Sequence, residues 1–127
     1  MKITPFKKFL NENNKENIAI IGHMGSGKSI IGKILAKQFN SKHIDSDEVI
    51  SKYLNKSIYK IFEEKGEKYF RSIEKKMILD LIEKKNTILS LGGGSVLDKT
   101  IRKKLKMKSI TLFLNVNLSE LEKRLKN

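Results

Sequence analysis

A glycine-rich turn between an apolar run and a helical segment is the feature that most restricts how this chain can fold. Residues 18–21 read Ile-Ala-Ile-Ile, which is typical of a buried strand in a parallel sheet. In the turn that follows, Gly22, Gly27, Lys28 and Ser29 match the pattern G-x-x-x-x-G-K-[ST]. Apolar residues then recur at helical spacing. The stretch predicts a strand, a phosphate-binding loop and a helix.

The chemistry of such a loop comes from its backbone. Glycines let successive N–H groups turn inward around phosphate oxygens, and the helix that begins near Lys28 points its positive end at the same anion. We expect Lys28 to reach the outer phosphates of a nucleotide and the Ser29 hydroxyl to ligate Mg²⁺. The alternative is a strand-to-helix turn of the same composition that binds no ligand.

Length and residue usage limit the remaining possibilities. The 127 residues are enough for one domain with one core, and the absence of cysteine excludes disulfides and thiolate metal sites. No apolar run approaches the roughly 20 residues that span a bilayer, and residues 1–9 lack the apolar core of a signal peptide. We expect a soluble, cytoplasmic protein without a membrane partner.

The large positive charge of the chain has two interpretations. The net charge is +13, and of the 27 basic residues three are arginines, which leaves 24 lysines. A nucleic-acid surface more often uses clustered arginines with aromatic partners. The lysines are spread over the whole chain, so we interpret them as solvated residues and expect no nucleic-acid partner. The positive potential still favours polyanionic substrates such as ATP.

The first 16 residues are polar and rich in Lys and Asn, with only Phe6, Phe9 and Leu10 to bury. We expect a flexible or loosely docked extension over residues 1–16, with one helical turn at 6–10. The domain itself would begin with the strand at residue 17.

A pair of aspartates follows the second predicted strand, residues 43–45. Asp45 and Asp47 alternate at the carboxyl end of that strand, on the edge where open α/β sheets bind ligands. One could hold Mg²⁺ through water, and the other could accept a proton from an alcohol. The competing interpretation is helix capping, because Ser46 or Asp47 could start a helix that runs towards Leu54.

Two helical pieces, residues 57–65 and 67–84, are predicted on either side of Gly66. In the second, Arg71 and Glu74 lie three residues apart and share a face. A surface ion pair of little energetic value explains this spacing. However, Arg71 is one of few arginines in a lysine-rich chain, which favours a bidentate contact with a carboxylate that lysine cannot make.

A third strand, residues 87–91, runs straight into the three glycines 92–94. Glycines at this edge of the sheet indicate either that substrate or γ-phosphate approaches the backbone closely or that the turn is simply flexible.

The rest of the chain continues the alternation of elements. A helix at 98–106 leads to a fourth strand at 110–116, and Ser119 caps a last helix. His23 and His43 lack metal-ligand spacing, and we interpret both as non-metal residues. The order of elements predicts an α/β sheet with right-handed crossovers.

In combination the motifs are more specific than any one of them. The order phosphate loop, D-S-D, I-F-x-x-x-G-E-x-x-F-R-x-x-E and L-G-G-G resembles the shikimate kinases, a family with the nucleoside-monophosphate-kinase-like fold of P-loop NTPases. The third motif runs from Ile61 to Glu74 and the fourth from Leu91 to Gly94, and the resemblance covers residues 18–124. It implies a three-layer α/β sandwich with a short parallel sheet, and transfer of the ATP γ-phosphate to the 3-hydroxyl of shikimate in aromatic amino acid biosynthesis.

The resemblance also implies roles for individual residues. Lys28 and Asp47 would be catalytic, Lys28 on the transferring phosphate and Asp47 as base, while Ser29 and Asp45 would hold Mg²⁺. ATP would be bound by Gly25, Ser26, Gly27, Lys28, Ser29 and Ile30, with Arg124 against the adenine. Shikimate would be bound by Asp47, by Arg71 with Glu74 behind it, by the backbone of Gly93 and Gly94, and by a wall of Ile58, Phe62 and Phe70.

Shikimate kinases also have segments with no counterpart in these 127 residues. Beyond the last predicted helix the family has a mobile lid with an arginine, further helices, a second substrate-binding arginine and a final strand. We therefore expect residues 17–127 to form a monomeric, C-terminally incomplete P-loop kinase domain with weakened activity and a bare edge at strand 110–116. The alternative is a nucleotide-binding or other small-molecule kinase-like module without shikimate turnover.

Overall fold

A computed structural model of the chain describes residues 3–23 and 26–115. Each strand and helix predicted within this part of the chain after residue 16 is present, with ends shifted by one or two residues. The elements are α1 (Pro5–Glu12), β1 (Asn17–Gly22), α2 (Lys28–Gln38), β2 (Lys42–Asp45), α3 (Ser46–Leu54), α4 (Ile58–Ile82), β3 (Thr87–Ser90), a 3-10 turn (Ser95–Leu97), α5 (Lys99–Lys108) and β4 (Ser109–Leu114).

The four strands form one parallel sheet in the order β2-β3-β1-β4. β1 lies between β3 and β4, with Ile18 paired to Ile88 on one side and to Ile110 on the other. Because the strands run in the same direction, the chain leaves β1, β2 and β3 at one edge of the sheet. The phosphate loop, the D-S-D segment and the glycine turn therefore share that edge.

Alternate side chains of the buried strands supply a core on each face of the sheet. On one face, Ala19 and Leu89 pack against apolar residues of α4 and α5. On the other face, Ile18, Ile20 and Ile88 pack against α2 and α1. Helices thus cover both faces, which confirms the predicted three-layer α/β arrangement.

A third apolar cluster joins α3 to α4, and it depends on the predicted break at Gly66. The φ of 84° and ψ of 167° at Gly66 interrupt the helix, a backbone conformation that glycine adopts readily. Ile61 before the break and Phe70 after it both belong to the cluster around Ile50 of α3. The break therefore lets α4 follow the surface of α3 before it reaches the sheet.

The N-terminal segment corrects the expectation of a flexible extension. Thr4 caps α1 by accepting from the N–H of Lys7 (3.2 Å), and Pro5 occupies the first turn. Phe6 and Leu10, four residues apart, are buried, and the ring of Phe6 stacks on that of Phe39 at 4.8 Å. Residues 5–12 thus belong to the domain core. The helical turn predicted at residues 6–10 is part of a longer amphipathic helix, whose few apolar residues all lie on one side.

Two further expectations concern the C-terminal part of the chain. β4 is an outermost strand of the described sheet, as expected for strand 110–116, and its residue Phe113 is exposed. The helix predicted from Ser119, together with Arg124, lies outside the described residues. Among the described helices, none is both long enough and apolar enough to cross a membrane.

Replacing Leu10 by alanine is expected to lower the free energy of unfolding by about 3 kcal/mol, because a fully buried leucine is truncated. Ile3 is 63% exposed, and the control Ile3→Ala should change this free energy by less than about 0.5 kcal/mol. Urea denaturation followed by circular dichroism measures both. Equal effects of the two substitutions would contradict the docking of α1.

Candidate active site

The phosphate loop leads from β1 into the first turn of α2. Gly27 precedes the helix with a φ of 90°, a left-handed conformation that favours glycine. The N–H of Ser26 donates to the carbonyl of His23 at 3.1 Å, while the buried Ser26 hydroxyl has no hydrogen-bond partner among the described residues. Gly25 lies outside them. The unbonded N–H groups that begin α2 favour an anion at this end of the loop.

The amine of Lys28 lies within this loop. It donates to the carbonyls of Gly22 and His23, both at 2.9 Å. Burial lowers the pKa of Lys28, and the carboxylates of Asp47 and Asp45 act in the opposite direction. The lysine is therefore within electrostatic reach of both aspartates of the D-S-D segment.

Asp45 combines the two roles that the sequence left as alternatives. Its Oδ1 accepts from the N–H groups of Asp47 (2.9 Å) and Glu48 (3.2 Å), so Asp45 is the N-cap of α3. The competing capping interpretation is therefore right in part: α3 begins at Ser46, but its N-cap is Asp45. The other oxygen, Oδ2, accepts a hydrogen bond from the Ser29 hydroxyl. A carboxylate from the end of β2 and a hydroxyl from the first turn of α2 thus meet beside the loop.

The residue between the two aspartates connects them to the glycine turn. Ser46 is buried, and its hydroxyl accepts from the N–H of Gly92 at 2.9 Å. This bond holds the start of α3 against the chain that leaves β3. It forms because β2 and β3 pair in register, with Asp45 opposite Ser90.

Asp47 and Glu74 approach each other over Gly92. A Cβ built on Gly92 would lie 2.7 Å from Glu74 Oε2 and 2.8 Å from Asp47 Oδ1, so no side chain fits there. Burial raises the pKa of both carboxyls, and neighbouring carboxylates add to the rise, Asp45 for Asp47 and Asp47 for Glu74. Glu74 Oε2 is buried and has no hydrogen-bond partner among the described residues.

Arg71 lies on the same side of the molecule as Asp47. Its Nη1 donates to Glu74 Oε1 at 2.8 Å, and its Nε lies 3.6 Å from Glu67 Oε1. A Cβ on Gly94 would lie 2.6 Å from the guanidinium carbon. A cavity of about 280 Å³ opens beside Arg71, Glu74 and Gly94. The guanidinium is thus held by carboxylates, while the Arg71 side chain as a whole stays 36% exposed.

The predicted aromatic wall forms part of the cluster between α3 and α4. The rings of Phe62 and Phe70 pack at 4.7 Å, and the Arg71 guanidinium lies 5.4 Å above the Phe70 ring. Ile58 and Phe62 are partly buried, and Phe70 is buried. The Phe70 ring therefore contacts one face of the Arg71 guanidinium and limits its movement.

This edge of the sheet thus brings together an amine, a hydroxyl, three carboxylates and a guanidinium. Lys28, Arg71 and the start of α2 can bind anions, whereas Ser29 and Asp45 offer the oxygen ligands that a hard cation prefers. Asp47 can accept a proton. Gly93 lies in the exposed part of the glycine turn and Ile30 on the exposed side of α2, and their ligand contacts stay predictions.

Sequence patterns indicated Ser46 only as a possible start of a helix and Gly92 only as one of three turn glycines, and they did not predict the hydrogen bond between the two. This bond depends on the pairing of two strands whose paired residues are 45 apart in the chain, and neither motif predicts that pairing. The serine between the two aspartates was the available signal, because a polar residue at the first position of a helix often bonds to backbone.

Comparison with known sequences places the chain beside the shikimate kinases. The family model described as shikimate kinase matches residues 24–127. Shikimate kinases of Buchnera aphidicola and Persephonella marina are each 41% identical to the chain, over 106 and 110 residues. The matches cover 84% and 87% of this chain but 61% and 67% of those relatives. The chain therefore spans about two thirds or less of the length of these relatives.

Solved structures give the same result. A shikimate kinase from Acinetobacter baumannii in complex with shikimate matches with a TM-score of 0.81 and 32% identity, over 94% of this chain and 65% of that one. The fold is that of the P-loop NTPase kinases.

The raised pKa of Glu74 predicts a pH-dependent effect of Glu74→Gln. The folded protein binds this proton more tightly than the unfolded chain, so ionisation of Glu74 opposes folding as the pH rises above its ordinary pKa of 4.5. Glutamine does not ionise. The free energy of unfolding of the parent, relative to that of Glu74→Gln, should therefore be higher at pH 4 than at pH 7 in urea denaturation. A difference that is constant or grows with pH would contradict the burial of an ionisable Glu74.

Proposed function

The chain belongs to the shikimate kinase family, and on this premise we propose that it transfers the γ-phosphate of ATP to the 3-hydroxyl of shikimate. The observation that carries the proposal is the convergence of Asp47 and Arg71 on one glycine turn. A Cβ on Gly92 would meet Asp47, and one on Gly94 would meet Arg71. A hydroxylated carboxylic acid over this turn can thus reach a carboxylate at one end and a guanidinium at the other.

The donor would lie on the phosphate loop. Its phosphates would accept from the backbone of residues 25–29 and face the positive end of α2. Lys28 would exchange a loop carbonyl for a phosphate oxygen and bring its charge to the transferring group. The contacts of Gly25, Ile30 and Arg124 with the nucleotide stay predictions.

Ser29 and Asp45 fit a magnesium ion. Their oxygens are in contact, and the bonds from α3 to Asp45 Oδ1 orient the carboxylate so that Oδ2 faces the loop. Mg²⁺ prefers such oxygen ligands and keeps several waters. When bound, the ion would neutralise charge on the phosphates.

The acceptor would be positioned by Arg71 and Asp47. Arg71 would bind the carboxylate of shikimate in the adjoining cavity, while Glu74 and the Phe70 ring hold the guanidinium in place. Asp47 would accept the proton of the 3-hydroxyl while the hydroxyl oxygen forms a bond to the γ-phosphorus. The bond between the γ-phosphorus and the oxygen of the β-phosphate would break in the same step. Positioning and charge neutralisation would account for most of the acceleration.

The alternative to this proposal is nucleotide binding without turnover of shikimate. The chain covers 61% of the Buchnera relative, so part of that enzyme has no counterpart in these residues. A monomeric state and a cytoplasmic location stay predictions.

Lys28→Met is expected to reduce ATP-dependent phosphorylation of shikimate by about 100-fold or more, because a charge on the transferring phosphoryl group is removed. Lys37→Met, an exposed lysine on the same helix, is the matched control and should leave the rate unchanged. Phosphorylated shikimate is measured by mass spectrometry, and ATP binding by calorimetry. Binding of ATP by the parent without any product would favour the alternative and overturn the proposed activity.

A further inference from the structure

A chain of two hydrogen bonds ties the phosphate-loop helix to the two strands beside it. The hydroxyl of Ser90, near the end of β3, donates to the carbonyl of Lys28 at 2.9 Å. The Nε2 atom of His43, on β2, lies 2.8 Å from the same hydroxyl. Ser90 is 2% exposed, and His43 is partly buried. Three elements thus meet at one serine oxygen.

The direction of each bond follows from the donors available. A carbonyl only accepts, so Ser90 must use its single hydrogen on Lys28. The remaining contact then requires a hydrogen on Nε2 of His43, which identifies the ring as a donor to Ser90.

The helix also packs directly on this pair. Gly32 lies one turn after Lys28, and a Cβ built on it would lie 2.5 Å from two atoms of the His43 ring and 2.6 Å from Ser90 Oγ. The backbone of α2 therefore rests on the two side chains with no space between them. Any shift of His43 or Ser90 changes the position of this helix.

The first turn of α2 is also held through its side chains, by the bonds of Lys28 to the loop carbonyls and of Ser29 to Asp45. Its N-cap residue is Gly27, so the first turn has no side-chain cap. The bond from Ser90 to the Lys28 carbonyl holds that turn from the strand side. Ser90 and His43 each lie two residues before a site residue, Gly92 and Asp45, on paired strands. The same bonds thus set the distance between the loop and the acceptor side of the site.

We propose that Ser90 and His43 are positioning residues for Lys28 and the first turn of α2. This inference rests on the proposed nucleotide binding, and it adds two residues that support the binding loop without touching the nucleotide. Without the Ser90 hydroxyl, the Lys28 carbonyl loses a partner and the partly buried His43 loses the acceptor of its Nε2 hydrogen. The first turn then moves relative to Asp45 and Gly92, and the phosphate contacts weaken.

Calorimetric titration of the folded chain with Mg·ADP tests the proposal without requiring turnover. Ser90→Ala and His43→Leu should each weaken the affinity about tenfold, since small displacements of binding groups are costly. His43→Gln, whose amide can donate to Ser90, should restore it to within about twofold of the parent. Ser41→Ala is the matched control, because Ser41 also donates to a backbone carbonyl, that of Asn86, at the opposite edge of the same two strands. It should leave the affinity unchanged.

Several outcomes would overturn the inference. One is parental affinity in both Ser90→Ala and His43→Leu. Another is equal weakening in Ser41→Ala, which would indicate a general loss of stability. A third is a His43→Gln variant as weak as His43→Leu, which also decides the matter if Ser90→Ala does not fold. A parent chain that binds no Mg·ADP would instead overturn the proposed function, and this inference with it.

Discussion

Parallel pairing of β2, β3 and β1 is the constraint on which the rest of the molecule depends. It directs the ends of three strands to one edge, so that segments separated by up to 70 residues come within hydrogen-bond distance. The Ser29–Asp45 and Ser46–Gly92 bonds each join residues at or just beyond the ends of two different strands at this edge. The helices cover the two faces of the sheet and leave the edge open. Ligands bind at such an edge in open α/β folds.

Charge is balanced at this edge by pairs that lie close together. Lys28 is near Asp45 and Asp47, and Arg71 is bonded to Glu74. Glu74 is buried and Asp47 is partly buried, and this burial raises the pKa of both carboxyls. An arrangement of this kind costs stability unless its charges are paired. The arrangement suits the proposed binding of two anions, a polyphosphate and a carboxylate, side by side.

Local patterns were sufficient to predict the strands and helices after residue 16 and the break at Gly66. They also predicted that Asp47 and Arg71 lie on the same side of the molecule. Each of these depends on residues that are near in sequence or on the shared direction of the strands. Other features depend on distant partners. Phe39 stacks on Phe6 and so docks α1, of which only one turn, at residues 6–10, was predicted within a flexible or loosely docked extension. The His43–Ser90–Lys28 bonds likewise require a register that no single motif specifies.

In the proposed function, the phosphate loop, the aspartates and Arg71 form one cleft that holds both ligands together. Amide chemical shifts of the ¹⁵N-labelled chain, recorded during titration with shikimate and then with Mg·ADP, are the decisive measurement. We expect shikimate to shift the amides of residues 46–47 and 92–94, the nucleotide to shift those of 27–29, and the chain to be saturated with both ligands at once. Shikimate-induced shifts confined to the opposite edge, at residues 39–42 and 84–86, or displacement of one ligand by the other, would contradict it.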